Sequence, residues 1–151
     1  MADIELTDEQ AMLLETAADF CRNNSPVDQV RARIEHEDSI EPEVWQKMVE
    51  LGWLGINVPE EQGGLGLGMA SVVPIAEAMG RYLMSSPFNA TVLASEAILA
   101  GGGAEQQSRW LPRIVAGSVA TAALTEPDGS WRLDEMAAVG TQQDDEVALS
   151  G

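Results

Sequence analysis

Basic side chains are scarce in this chain: eight Lys and Arg stand against 25 Asp and Glu, for a net charge of -17. So acidic a surface repels the phosphates of nucleic acid and the headgroups of an anionic membrane, which excludes both as the main partner. Cysteine is nearly missing too. Cys21 stands alone, so no intrachain disulfide and no thiolate metal cluster can form, and its place after Phe20 on an apolar helix face reads as a small core residue. His36 is equally single, with no second histidine or cysteine at ligand spacing, which leaves no metal set and no Ser/His/Asp arrangement. No apolar run approaches membrane-spanning length, and an amino terminus carrying Asp3, Glu5, Asp8 and Glu9 lacks the basic-then-apolar pattern of a signal peptide. The expectation is a cytoplasmic protein with no membrane insertion.

What is present suffices for a core. At 151 residues and 45% hydrophobic content the chain suits one domain, or one domain plus a fragment. Thr7 with Gln10 forms a capping-box signature, and Leu13, Leu14, Ala17, Phe20 and Cys21 keep helical spacing to about Asn23. Pro26 ends that helix, and the charged run from Arg31 through Arg33 to Asp38 reads as a partly helical, solvated connector. Pro42 opens a second helix that buries Val44, Trp45, Met48 and Leu51, pairs Glu43 with Lys47 outside, and stops at Gly52. Trp53 to Val58 reads as extended. A third helix is expected from about Met69 to Arg81, with Val72, Val73, Ala76 and Met79 inward; Pro74 either falls in its first turn or kinks it. Ser86 and Pro87 open a fourth that carries Val92, Leu93, Ala97 and Ile98. A fifth from about Ala104 presents Trp110, Leu111, Ile114 and Val115, with Pro112 forcing a break or restart. The period then turns from helical to alternating. Val119 to Leu124 reads as a strand, and Val139 to Thr141 with Val147 to Leu149 reads as a hairpin turning at Asp144 and Asp145.

Two segments invite a ligand. The glycine-rich loop of Gly63, Gly64, Gly66 and Gly68 fails the dinucleotide fingerprint, since the third glycine position is Met69 or Ser71, and it has no Walker lysine. A tight loop in which backbone approaches backbone is the better reading. The turn from Leu124 through Thr125, Glu126, Pro127, Asp128, Gly129 and Ser130 to Trp131 is the stronger candidate. A threonine hydroxyl at a strand end, a proline-set bend and a Gly-Ser pair can offer backbone N–H groups and two hydroxyls to a flavin edge or a phosphate, though a turn of this composition can also be just a turn. The carboxylates Glu60 and Glu61, and Asp144, Asp145 and Glu146, read as solvated charge rather than as catalytic bases.

The order of "ELGWLGINVPEEQGGLGLG" (Glu50 to Gly68), "RWLPRIVAGS" (Arg109 to Ser118) and the TEPDGSW turn resembles the amino-terminal part of an acyl-CoA dehydrogenase, over nearly the whole chain. The resemblance implies a mainly α fold, with an amino-terminal helical bundle at 1–118 followed by the first strands of an incomplete middle β-domain at 119–151. It implies the first portion of an FAD flavoprotein of fatty acid metabolism, an oxidoreductase that desaturates acyl-CoA thioesters, with the first helices helping to wall the acyl pocket. The family pattern at the turn is T-E-P-x-A-G-S-D, whose threonine contacts the flavin ring and whose serine contacts the pyrophosphate, with nearby backbone touching the CoA arm. Thr125 matches the threonine, and Gly129 and Ser130 match the Gly-Ser pair. This chain is one residue shorter between proline and glycine, and Trp131 stands in place of the aspartate. Leu124, Thr125, Gly129 and Ser130 are accordingly the candidate cofactor-binding residues. CoA is itself polyanionic, and few basic groups are here to meet it.

The family's catalytic carboxylate belongs to a carboxy-terminal helical domain, so no catalytic residue is assigned, and the chain is expected to be inactive alone. FAD and acyl-CoA are expected only in the complete enzyme or in a homo- or hetero-oligomeric assembly. The alternative is a non-catalytic subunit or interaction module of a hetero-oligomeric complex of the same kind. The stop at Gly151, just past a hairpin strand, suggests a boundary rather than a natural terminus.

Overall fold

A computed structural model describes residues 6–36, 41–143 and 146–150. It divides into one unit up to Thr121 and a second from Ala122. The first unit is helical. Helix α1 (Asp8–Asn24) starts where the sequence places it: the Thr7 Oγ1 accepts the Gln10 N–H at 3.2 Å and the Thr7 N–H donates to Gln10 Oε1 at 3.1 Å. Two helix-end amides are thus satisfied reciprocally, and Asp8 and Glu9 lie at the positive end of the dipole. Ala17 and Cys21 on its inner face are fully buried.

The charged run after Pro26 is helical and mostly exposed, as the sequence suggests, with Arg33 the exception. It is helix α2 (Val27–His36), begun by the Val30 N–H donating to Pro26 O at 3.0 Å. The Arg33 side chain on it is only 13% exposed. Glu37 and Asp38, the end of the run, lie outside the described residues.

Helix α3 (Pro42–Glu50) takes Pro42 at its first position and buries Val44, Trp45 and Met48. Leu51, expected on the same face, lies past the helix end and is exposed. Lys47 reaches back to Asn24 Oδ1 at 2.8 Å, tying α3 to the end of α1 instead of pairing with Glu43. Gly52 then turns the chain at φ 73, a left-handed conformation that glycine adopts without steric cost.

Trp53 to Val58 is buried as its composition demands but is not extended. Trp53–Gly55 is a 3-10 turn, and the segment coils so that the glycine loop can dock on it. Three amides of that loop reach its carbonyls: Leu65 N to Gly55 O at 2.8 Å, Gly66 N to Val58 O at 2.8 Å and Leu67 N to Ile56 O at 2.9 Å. Trp53 stands edge-on to Phe20 at 4.8 Å between ring centroids and to Phe88 at 6.3 Å, which joins three elements in one core.

A 3-10 turn (Met69–Ser71) leads into helix α4 (Val72–Arg81), which leaves Pro74 in the first turn, where its missing N–H costs nothing. Val72, Ile75, Ala78 and Met79 face inward and α1 packs on them; Val73 points outward. Helix α5 (Phe88–Gly101) begins one residue later than the sequence suggests, with the Ser86 hydroxyl accepting the Phe88 N–H at 3.2 Å. Its inner face carries Phe88, Val92 and Ala94, while Leu93 is exposed.

Helix α6 (Ala104–Val115) packs on α5 and runs through Pro112 without a break. Burial of Leu111 and Ile114 on either side of the proline offsets the lost backbone bond. Trp110, expected to be buried, is 42% exposed and lies within 5.0 and 5.1 Å of the Arg109 and Arg113 guanidinium carbons, measured from its ring. Beyond α6 the chain stays attached to the bundle. Trp45 Nε1 donates to Gly117 O at 2.8 Å, and the Thr91 hydroxyl both donates to Ala120 O at 3.2 Å and accepts from Ala120 N at 3.3 Å.

Val119 to Leu124, read as a strand, has no ladder partner among the described residues and is not one. The second unit contains the hairpin: β1 (Val139–Gln143) and β2 (Glu146–Ser150) pair antiparallel, from Val139 opposite Ser150 to Gln143 opposite Glu146. Its turn at Asp144 and Asp145 lies outside the described residues. Every described residue of both strands is exposed. Among the described residues no helix is long and apolar enough to cross a membrane, and no group of three or more His, Cys, Asp or Glu could hold a metal ion.

Candidate functional site

The amides of the glycine loop from Gly63 to Leu67 are engaged within the fold rather than free for a phosphate. Besides the three amides engaged by Trp53–Val58, the Gly63 N–H bonds Glu60 O at 2.9 Å and the Gly64 N–H bonds Pro59 O at 3.1 Å. Gly64 lies so close to the opposite backbone that an added Cβ would fall 2.0 Å from Val58 O and 2.6 Å from Gly55 O. This is close approach of chain to chain, for which only a residue without a side chain serves. The neighbouring Glu60 and Glu61 are exposed.

The TEPDGSW turn is built differently. Pro127 and Asp128 form its bend, Gly129 closes it at φ 84, and two backbone bonds clamp it: Gly129 N to Glu126 O at 2.8 Å and Glu126 N to Ser130 O at 3.1 Å. Asp128 caps it by accepting the Ser130 N–H on Oδ1 at 2.9 Å, the side-chain turn that Asp makes two residues ahead of an amide. Glu126 reaches across the turn to accept the Ala137 N–H at 3.0 Å. Arg132 donates to both carboxylate oxygens of Asp134, at 3.2 and 2.8 Å, and this bond holds the Asp134 carboxyl below the usual carboxylate range.

Each candidate residue can now be placed. Leu124 and Thr125 are exposed on the way into the bend. The Gly129 and Ser130 amides are engaged inside the turn, the latter by a carboxylate, so an anion seeking those two N–H groups meets competition from Asp128. The hydroxyls are open. Thr125 has no hydrogen-bond partner among the described residues, and Ser130 Oγ accepts the Arg132 N–H at 3.3 Å, which leaves its own proton to donate. Nothing lies within 4 Å of where a Gly129 side chain would begin. The arrangement fits a cofactor held through two hydroxyls, one on each side of the bend. Asp128 shapes this candidate turn in a way the motif alone does not reveal. Its signal in the sequence is the Asp-x-Ser spacing, which favours a carboxylate-capped turn.

A family model described as acyl-CoA dehydrogenase, N-terminal domain, matches residues 7–118. The (2S)-methylsuccinyl-CoA dehydrogenase of Cereibacter sphaeroides is 33% identical over 118 residues, covering 76% of this chain and 22% of that protein. The solved butyryl-CoA dehydrogenase from Megasphaera elsdenii aligns with a TM-score of 0.77 at 26% identity, over 99% of this chain and 41% of the other. An acyl-CoA dehydrogenase complexed with FAD from Bacillus anthracis aligns with a TM-score of 0.77 at 29% identity, over 97% of this chain and 26% of the other. The chain therefore spans between about a fifth and two fifths of the length of these relatives.

Proposed function

The chain belongs to the acyl-CoA dehydrogenase family, matching its amino-terminal domain, and from that premise we propose that it forms the first part of an FAD-dependent, cytoplasmic, oligomeric enzyme that desaturates acyl-CoA thioesters. Residues 1–118 are in this reading the helical domain and 119–151 open the middle β-domain. The observation that carries it is the family match over 7–118, joined to a turn in a second unit whose Thr125 hydroxyl has no partner among the described residues and whose Ser130 hydroxyl keeps its proton to donate. When bound, FAD supplies the acceptor for the hydride that leaves the acyl β-carbon. In this chain the Thr125 hydroxyl would donate toward the flavin ring and the Ser130 hydroxyl toward the pyrophosphate, with Leu124 and Gly129 beside them. Asp128 holds the bend in shape while its negative charge limits how closely a phosphate draws to the Ser130 amide. No carboxylate of this chain is assigned a catalytic role, so turnover requires the parts of the family's architecture that lie outside it. The named relatives are enzymes, which favours this reading over a non-catalytic subunit.

The test is flavin retention in the assembly that completes the site. Thr125→Val removes one hydrogen bond to the ring, worth about 1 kcal/mol, and should weaken retention several-fold. Asp128→Asn keeps an acceptor for the Ser130 N–H but removes the negative charge that repels a phosphate, and should tighten it. The 151-residue chain alone should not reduce a dye at the expense of acyl-CoA. Unchanged flavin content in both variants would make the turn structural, and dye reduction by the chain alone would overturn the division of labour.

A further inference from the structure

Two of the eight basic side chains stand together on α6 without a carboxylate to offset them. Arg109 and Arg113 are one turn apart and exposed, and neither makes an ion pair or a side-chain hydrogen bond among the described residues; Glu105, one turn before Arg109, is not paired with it. Like charges at this spacing repel each other along a helix. What the two share is Trp110, whose ring centroid lies 5.0 Å from the Arg109 guanidinium carbon and 5.1 Å from that of Arg113. A guanidinium stacked on an indole keeps the N–H groups in its own plane free for an acceptor and holds them in one orientation.

Trp110 is spent on nothing inside the bundle. Trp45 and Trp53, the other tryptophans of the helical unit, are 9% and 2% exposed, whereas Trp110 is 42% exposed while Leu111 and Ile114 seat the helix. Its indole edges a groove of about 400 Å³ where α6 meets the end of α5, lined also by Ala97, Ile98, Gly101, Gly102 and Gln106, none of them charged. Gly101 has open space where a side chain would begin. Tryptophan and arginine around an apolar recess are the composition of a binding hot spot.

Charge selects the occupant. A chain of net charge -17 repels acidic molecules over most of its surface, so a carboxylate-bearing partner is drawn to two unpaired guanidiniums that stand together, and among the described residues no other such pair exists. A second copy of this chain fits poorly, because a two-fold pairing here would set the same arginines against each other and join two strongly negative molecules. We propose that the Arg109, Trp110 and Arg113 face of α6 docks an acidic segment of a partner protein, with carboxylates on the two guanidiniums and one aliphatic side chain in the groove beside Gly101. The face lies wholly within the helical unit and needs neither flavin nor the turn that would hold it.

The probe is a short synthetic peptide of Asp and Glu around a single leucine, and the receptor is the 151-residue chain. The indole N–H resonance of Trp110, identified by its loss in Trp110→Phe, should shift saturably as the peptide is added, and salt should weaken the binding. Arg109→Gln combined with Arg113→Gln, both at exposed positions that leave the core untouched, should weaken it roughly tenfold or more. A peptide with serine in place of the leucine should bind the unaltered protein more weakly, and Gly101→Leu, which fills the groove from open space, should erase that difference. No saturable shift, equal affinity in the folded two-arginine variant, or equal binding of the serine peptide would each overturn the proposal. So would a dimer of the protein alone that the same variant dissociates, which would give the face to a second copy.

Discussion

Gly64→Ala should damage this protein more than any other single methyl added to the glycine loop. The added Cβ would lie 2.0 Å from Val58 O and 2.6 Å from Gly55 O, both of them main-chain atoms that cannot rotate away. Restoring van der Waals separation means moving one chain from the other by roughly an ångström or more. The same two carbonyls accept the Gly66 and Leu65 amides, so the retreat also lengthens or breaks those bonds. Overpacking costs about 1 to 3 kcal/mol and each compromised backbone bond about 1 kcal/mol, for a total of about 3 kcal/mol or more. Gly63→Ala is the control. Gly63 has φ 88 and open space around its missing side chain, so its replacement pays only the left-handed backbone cost of about 1 to 2 kcal/mol. At 2 to 4 °C per kcal/mol for a chain of this size, Gly64→Ala should lower the midpoint of thermal unfolding by roughly 6 to 12 °C, well below the Gly63→Ala midpoint. Far-ultraviolet circular dichroism during heating measures both. If the two variants melt together, the loop is not held by backbone contact and the account given of it is wrong.

Four further outcomes follow from the packing. Trp45→Ala should cost on the order of 3 to 5 kcal/mol in chemical denaturation, since the ring is 9% exposed and bonded to Gly117 O, whereas Trp110→Ala should cost well under half as much; equal losses would mean that the exposure of Trp110 is misjudged. Burial pushes the Cys21 thiol up to about 11, so the native protein should resist alkylation at neutral pH, and ready labelling of folded protein would contradict the packing around Met84. The unfolded chain gives up that proton near the ordinary value of 9.0 while the folded chain keeps it, so Cys21 should make stability fall as the pH rises from about 9 to about 11, and Cys21→Ala should flatten that decline. Amides of β1 and β2 should exchange with solvent far faster than those of α1 and α5 in dilute protein, because a two-stranded ladder with no buried residue is marginal alone; equal protection would show that the hairpin is covered.

The sequence discloses what is decided locally and conceals what is decided by a distant partner. The start of α1 is legible because Thr7 and Gln10 satisfy each other's amides within one turn. The Gly52 stop rests on a local backbone preference, and of the two places open to Pro74 the structure takes the first turn, whereas Pro112 is carried inside α6 by burial on either side of it. That β1 and β2 form a hairpin follows from alternation around a short polar turn. Trp53 to Val58 fails for the opposite reason: its composition shows burial, but its coiled shape comes from carbonyls that face a loop several residues downstream. Trp110 is one position off the stripe of Leu111 and Ile114, a rotation that helical spacing alone does not settle. Arg33 reads as solvated because charge usually is, and only the fold shows it turned against a cavity. At the TEPDGSW turn, the hydroxyls are visible in the motif, while the capture of the Ser130 amide by Asp128 two residues before it is seen only in the fold.

The bonds from Trp45 to Gly117 and between Thr91 and Ala120 settle where this molecule can be cut. An engineer trimming to the last helical residue, Val115, would leave the indole N–H and the threonine hydroxyl without the main-chain groups they now serve, both at well-buried positions. Six further residues, through Thr121, retain every one of those bonds. For grafting this bundle onto another scaffold, or for growing crystals of it by itself, Thr121 is the place for the scissors, although the helix ends well before it.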